Sequence, residues 1–415
     1  MISPGLFVAT LLFMPKLLAA VVLMLLAAPA VRAETVRINL FSLFKPQVIE
    51  ARVLSADGAA IDLNRLAGSR QLAAGSRVRF ELAGEQLHVT ISDARGARQT
   101  FTAAEARLHA TEAATFELAL PGKLKRTVRG DLTVSAGDKS LRGALKIILT
   151  TEREAAVASV VAAETEARAP EALKALAVVV RTYMLSHPNR HAGEGFDFCD
   201  TTHCQFYRGE SDLDAEAARP AVLSAVAATA GEHLSFAGKP VEAYFTASCG
   251  GQTATPQMVW GGVCDYPYKR QRCEWCRGSS HYRWTRQADA RAVFNALAAT
   301  LGASLSVRTE LAVDADEAGF VRVVRVRDSG REWTLSADEF RRAVGRRLGW
   351  NKVLSGSFTV TRSGGQMIFR GRGFGSQVGL CLAGALAQAL KGRRYDEILR
   401  FYFPQAQLSR RSQNE

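Results

Sequence analysis

The sequence predicts an α+β fold, a small β-rich region followed by a mixed core of helices and antiparallel strands. Two observations carry this. From Thr35 to about Ala104, short runs alternate apolar and polar residues (V-R-I-N-L-F, S-R-V-R-F-E-L, Q-L-H-V-T-I), broken by Asp57-Gly58 and Gly75-Ser76. Period-two alternation with turn signals is the pattern of short antiparallel strands. After a further β-like stretch, Arg126 to Val134, helical spacing takes over.

Glu152 to Glu164 is rich in Ala and Val with no breaker. Pro170 suits the first position of the next helix, where its missing N–H would be unpaired anyway. Leu173, Leu176, Ala177, Val180, Tyr183 and Met184 then fall on one stripe at helical spacing, and Pro188 ends the pattern. Pro220 to Ala230 reads as another helix and Val241 to Ala247 as a strand. A helix at about Ala288 to Leu301 follows, then strands at Val321 to Val326 and Phe358 to Thr361, and helices at Gly379 to Leu390 and Tyr395 to Phe401. The length of 415 residues accommodates two or three domains. No internal repeat or low-complexity linker divides the chain.

Residues 1–33 read as a secretory signal. Met14-Pro15-Lys16 precedes the apolar run Leu17 to Ala28, and Val31-Arg32-Ala33 offers small residues for cleavage before Glu34. The apolar run is short for a spanning helix, although an uncleaved anchor is the alternative. The expected destination is the periplasm or cell envelope. In an oxidising compartment spare thiols pair. Cys249, Cys264, Cys273 and Cys276 then suffice for two disulfides, leaving Cys381 over. The net charge of +13, mostly arginine, points in an exported protein to anionic wall or membrane surface rather than to nucleic acid. Coding bias toward Arg and Ala is the plain alternative.

Glu164 closes one helix close to the start of the next. The partial negative charge of a helix C-terminus and the apolar neighbours Val160, Val161 and Ala162 both raise its pKa, as a general acid requires. A solvated helix-end glutamate is the competing reading. Downstream, Cys199, His203 and Cys204 lie within six positions, with His187 and His191 just before them. Two thiolates and two imidazoles make a closed structural zinc site. His191 is preferred over His187 because His187 still belongs to the helix end. A Cys199–Cys204 disulfide is the alternative. Either would pin the loop carrying Gln205 and Tyr207 beside the Glu164 helix.

The stretch E-T-E-A-R-A-P-E-A-L-K-A-L-A-V-V-V-R-T-Y, followed by F-C-D-T-T-H-C-Q-F-Y-R-G, resembles the sporulation stage II protein D (SpoIID/LytB) family. The family pattern there runs E-M-P, E-A-L-K-A-Q-A-V-A-A-R-T-Y and C-D-T-T-H-C-Q-V-Y. The resemblance continues in R-T-V-R-G-D-L-T-V from Arg126, S-C-G-G-Q-T from Ser248, V-W-G-G from Val259, G-R-G-F-G-S-Q-V-G-L-C-L-A-G-A from Gly371 and the tail Tyr395 to Pro404. It spans roughly Lys125 to Leu408, so the domains expected are a β-rich region at 34–124 and a SpoIID/LytB-like domain at 125–410.

The resemblance implies lytic transglycosylation of peptidoglycan glycan, on strands stripped of stem peptides, with Glu164 as both acid and base. It would protonate the glycosidic oxygen, then accept a proton from the muramic acid's primary hydroxyl as an anhydro ring closes. The family's Met-Pro is Thr165-Glu166 here, which leaves Glu166 as a competitor. A hydrolase would need a second carboxylate, for which Asp200 is the nearest candidate. The resemblance also implies glycan contacts from Arg181, Gln205, Tyr207, Ser248, Gly250, Gly251, Trp260, Gly375 and Ser376, and zinc on His191, Cys199, His203 and Cys204. Neither a nucleotide nor a redox cofactor is implied. The family's His, Gly and Ser-Gln become Ser376, Gln377 and Cys381-Leu382. Those changes favour a rival reading, a non-catalytic wall-binding module that enhances an amidase.

Overall fold

The computed structural model describes residues 34–411 apart from 64–68, 111, 138–140, 142, 166–168 and 211–218. The signal-like segment 1–33 and Glu166 lie outside the described residues. The fold is α+β: two mostly antiparallel sheets come first and helices pack against their shared core.

One sheet runs in the order Phe198–Cys199, Thr35–Asn39, Leu145–Glu152, Asp131–Ala136, Glu105–His109, Ala59–Leu63, Arg70–Leu72; the other in the order Leu124–Arg129, Thr115–Leu120, Val48–Val53, Arg77–Ala83, Gln86–Ser92, Arg98–Ala103. Alternate residues of most of these strands are buried, among them Leu108 and Val134 from the first sheet and Ile49, Phe80 and Phe116 from the second. These sheets cross the boundary expected at 124/125. Thr35–Asn39 pairs directly with Leu145–Glu152, so the N-terminal region and the lead into the helical core are one hydrogen-bonded unit. The stretch Arg126 to Val134 is likewise not one strand. It breaks at Gly130, with φ +139°, where a Cβ would collide with the Thr150 carbonyl. Only glycine adopts that turn without strain, and it sends the chain from one sheet to the other.

Two helices position the candidate acid, α1 (Arg153–Glu164) and α2 (Pro170–Ser186). Pro170 opens α2 as its sequence indicates. The buried surface of α2 is wider than the expected stripe: Val178, Val179, Arg181 and Thr182 are also inside. The reason is its central place, packed by α1, by helices Arg219–Ala228, Leu382–Leu390 and Tyr395–Tyr402, and by strand Glu232–Phe236. A helix enclosed on all sides loses its amphipathic pattern.

Residues 284–371 build a second apolar cluster around Phe340, Phe358 and Phe369. It is made by two three-stranded sheets and the helices Ala290–Leu301 and Ala337–Leu348. On either side of this segment the chain returns to the main core. There Phe245–Thr246 pairs in parallel with Leu380–Cys381, and Ser248 bridges Phe374. The strand expected over Val241 to Ala247 shrinks to those two residues, and the last-but-one helix begins at Leu382 rather than Gly379.

Candidate active site

Glu164 is the last residue of α1. Burial pushes its carboxyl up to about 7, against a smaller opposing effect from a hydrogen bond donated by the Phe206 amide. At neutral pH such a group is present in both protonation states, which suits it to donate a proton and then accept one. The segment that supplies Phe206 is fixed on both sides. Gln205 Nε2 donates to the Val180 carbonyl (3.3 Å), and the Arg208 amide donates to Ser159 Oγ (3.4 Å). The Cys204–Arg208 loop thus lies against both helices, as its sequence position indicates.

Arg181 has a different task from the glycan contact expected of it. It is 1% exposed. Its guanidinium grips Glu154 with two bonds of 2.7 and 2.6 Å and donates to the Glu232 carbonyl (2.9 Å). The bidentate pair ties α1 to α2 and leaves no face for a sugar.

His191, Cys199, His203 and Cys204 converge, with all four ligand atoms within 4.8 Å of one another. His191 Nε2 lies 3.3 Å from Cys204 Sγ, the two sulfurs 3.5 Å apart, and His203 Nδ1 3.7 Å from each sulfur. A tetrahedral zinc with ordinary bond lengths sets such edges at about 3.5–3.8 Å, so the donor set fits one ion. His191 Nδ1 lies 2.7 Å from Glu194 Oε1, placed to donate to that carboxylate. That contact leaves Nε2 aimed at the cluster, the outer-shell arrangement typical of ligating histidines. The Cys199 amide points at Cys204 Sγ (3.4 Å). The Cys199 thiol is drawn down to about 3, chiefly by its hydrogen bond with Cys204 and further by His203. His187 stands outside the group, stacked on Tyr183 with ring centroids 4.2 Å apart.

Several expected contact residues are interior. Asp200 is 3% exposed; it accepts from the amides of Phe41 (2.7 Å) and Ser42 (3.1 Å) and pairs with Arg126 at 2.6 Å. Both its oxygens are committed to the fold, so it is no partner carboxylate for activating water. Gln205, Tyr207, Ser248 and Gly250 are also buried. Gly250 is where a Cβ would strike the backbone at Gly373, a close approach of two loops rather than a seat for ligand. Gly375 and Ser376 are half-buried, and Ser376 Oγ accepts from the Val378 amide (3.3 Å). Gln377 takes the left-handed conformation (φ +65°) that a glycine would adopt freely. Its side chain turns inward, accepting from Ser357 Oγ (3.0 Å) and donating to the Cys249 carbonyl (2.8 Å). The altered motif is therefore a structural splice between the main core and the 284–371 segment.

Trp260 remains exposed (45%), its ring braced at 4.9 Å by Tyr244. Gly251 lines a cleft of about 880 Å³, whose walls carry Arg270, Arg272, Arg277, Arg322 and Arg372 with Glu274, Asp316 and Glu317. Glu164 is not among the residues lining that cleft. The expected pairing of cysteines also changes. Cys249, Cys273, Cys276 and Cys381 come together and Cys264 stands apart; all seven cysteines are free thiols. Sequence reading missed Glu194, the Phe206 amide and the place of Cys381. Glu194 three positions after His191 was the one local signal available.

Scaffold and site together define an α+β protein with a half-buried, protonatable carboxyl, Glu164, hydrogen-bonded to the loop that follows a His/Cys knot. Residues 142–236, which contain both, match the family model described as SpoIID, Stage II sporulation protein. The chain is 30% identical over 239 residues to an uncharacterized protein of Brachyspira hyodysenteriae, covering 56% of this chain and 60% of that protein. It is 28% identical over 299 residues to Stage II sporulation protein D of Bacillus subtilis (69% and 83%) and 27% identical over 251 residues to the protein of that name from Bacillus amyloliquefaciens (58% and 69%). The chain is therefore similar to SpoIID proteins, most directly over the segment that holds Glu164 and the His/Cys group.

Proposed function

We propose that this is an exported protein that cleaves peptidoglycan glycan as a lytic transglycosylase, with Glu164 as its acid and base. The observation that carries the reading is the half-buried carboxyl at the end of α1, hydrogen-bonded by the Phe206 amide and with a pKa near 7. In the protonated state it gives its proton to the oxygen between muramic acid and glucosamine. As a carboxylate it then takes the proton of the sugar's own primary hydroxyl while that oxygen closes the anhydro ring. One carboxyl serves both steps and no water enters. The commitment of Asp200 to Arg126 and two amides weighs against hydrolysis, which needs a second carboxylate. Bound zinc on His191, Cys199, His203 and Cys204 would be structural, a closed site that holds the Cys204–Arg208 loop against α1 and α2.

The test is mass spectrometry of denuded glycan strands treated with the full chain and with Glu164→Gln. Anhydro-muramoyl ends are expected from the wild type, and the variant should lose activity by roughly a hundred- to ten-thousand-fold. Because the reacting form is the acid, kcat/KM should fall as pH rises through about 7. Reducing ends in place of anhydro ends would overturn the transglycosylase.

A second reading, a non-catalytic envelope-binding module that enhances an amidase, is favoured by one feature. The cleft at Gly251 carries five arginines against three carboxylates and is not lined by Glu164, a surface suited to anionic polymer. Glycan strands that are pulled down intact, equally by wild type and Glu164→Gln, would select it.

A further inference from the structure

Four thiols lie outside the chemistry proposed for Glu164. Cys249 follows strand Phe245–Thr246, and Cys381 ends the strand paired with it, opposite Thr246. Cys273 and Cys276 form a C-x-x-C turn, anchored where the Cys273 amide donates to the Gly251 carbonyl (2.9 Å). Three segments far apart in sequence therefore deliver their sulfurs to one point. All four residues are at most 1% exposed. Their sulfurs lie within 4.8 Å of one another, with Cys249 and Cys276 3.6 Å apart.

The surroundings treat these sulfurs as acceptors. The Cys249 amide donates to Cys381 Sγ at 3.2 Å and the Gly384 amide to the same atom at 3.4 Å. Tyr402 Oη is 3.3 Å from Cys273 Sγ. A Cβ on Gly384 would sit 3.0 Å from Cys273 Sγ and against Tyr402 Oη, so a glycine in the first turn of helix Leu382–Leu390 lets it approach so closely. Core thiols kept only for packing behave as small apolar groups and need no such donors. Two disulfides would divide the sulfurs into two bonded pairs, whereas here each sulfur is near all the others. Zinc bound by four thiolates places its sulfurs about 3.8 Å apart, and a C-x-x-C turn is a usual source of two of them.

The geometry points to a second metal centre, a closed Cys249–Cys273–Cys276–Cys381 site that holds one zinc ion. Binding displaces the thiol protons to solvent and leaves no open coordination position. Its role is to clamp the loop that contributes Gly251, Arg272, Glu274 and Arg277 to the arginine-rich cleft. Cys381, placed where the family pattern has serine, completes the ligand set.

Zinc content of the full chain by elemental mass spectrometry tests this. Cys276→Ser and Cys381→Ser should each lower it by one ion per chain, and Cys264→Ser should leave it unchanged. Replacement with cobalt should give a sulfur-to-cobalt charge-transfer band that Cys381→Ser reduces and His203→Ala does not remove. Should the serine variants fail to fold, the wild type decides through alkylation of the denatured chain without reductant. Four alkylated thiols at these positions are expected, and disulfides among them would overturn the site. Unchanged zinc in folded Cys276→Ser and Cys381→Ser would overturn it equally. None of these readouts depends on Glu164, so loss of the glycan-cleaving reading would leave the zinc count as it is.

Discussion

The two thiol clusters differ in how far the chain travels to build them. His191, Cys199, His203 and Cys204 fall within one segment that follows α2, while the other group draws Cys381 from one member of a parallel strand pair, Cys249 from just beyond the other, and two more sulfurs from a turn between them in sequence. The first needs only a tight loop and a glutamate to orient one histidine. The second needs the chain to return from the 284–371 segment to the main core, where Cys381 pairs opposite Thr246. Local clusters report on neighbouring loops, and distant ones report on the whole topology. Breaking each should therefore give different symptoms.

The largest expected effect is at Asp200, which fastens the strand bearing Cys199 to Phe41, Ser42 and Arg126. Asp200→Asn leaves a buried guanidinium without its counter-charge, and such single-partner removals cost about 3–5 kcal/mol. Chemical denaturation should show that loss. If Asp200 were instead a catalytic carboxylate, the variant would keep its stability and lose only turnover.

Next is the pH dependence of stability at Glu164. Its folded pKa, about 7, lies above the ordinary value of 4.5. Between those values the unfolded chain ionises and the folded one does not, so this group's contribution to stability is fully present below about 4.5 and is lost as pH rises to 7. The total is at most about 3 kcal/mol. Glu164→Gln should be neutral at pH 4 and stabilising by up to that amount at pH 8, measured by denaturant midpoints. An equal effect at both pH values would mean that the carboxyl is not desolvated.

The same contrast explains what the sequence made legible. Glu164 at a helix end, the pairing of His191 with the later Cys/His group, and Pro170 at the start of α2 are all local, and each appears in place. Arg181 looked like a ligand contact because nothing near it in sequence reveals Glu154 as a partner 27 positions away. Gln377 and Cys381 read as damage to a glycine-rich motif, whereas both face inward toward residues more than a hundred positions earlier, Cys249 among them. The pairing of Thr35–Asn39 with Leu145–Glu152 across residue 124 is hidden for a similar reason. Period-two patterns identify strands and say nothing of their neighbours.

A smaller effect belongs to Glu194. Removing its charge from His191 Nδ1 (2.7 Å) should weaken metal binding at the local cluster by about 10- to 100-fold in Glu194→Gln. Competition with a chromophoric chelator would show one weakened ion and one unaltered. Equal weakening of both would mean that the two clusters are coupled and that the distinction between local and distant assembly does not hold.

The smallest effect is predicted for the cysteine first counted among the paired ones. Cys264 is half-buried and lies outside both clusters; burial raises its thiol to about 11, so it is poorly reactive at neutral pH. Cys264→Ser should move stability by no more than about 0.5 kcal/mol and change neither metal content nor the alkylation pattern of the other six cysteines. A larger loss, or the appearance of a second unblocked thiol, would show that Cys264 has a disulfide partner. The four-thiolate centre would then have to give up a ligand, since the sulfurs available for pairing are those of the two clusters.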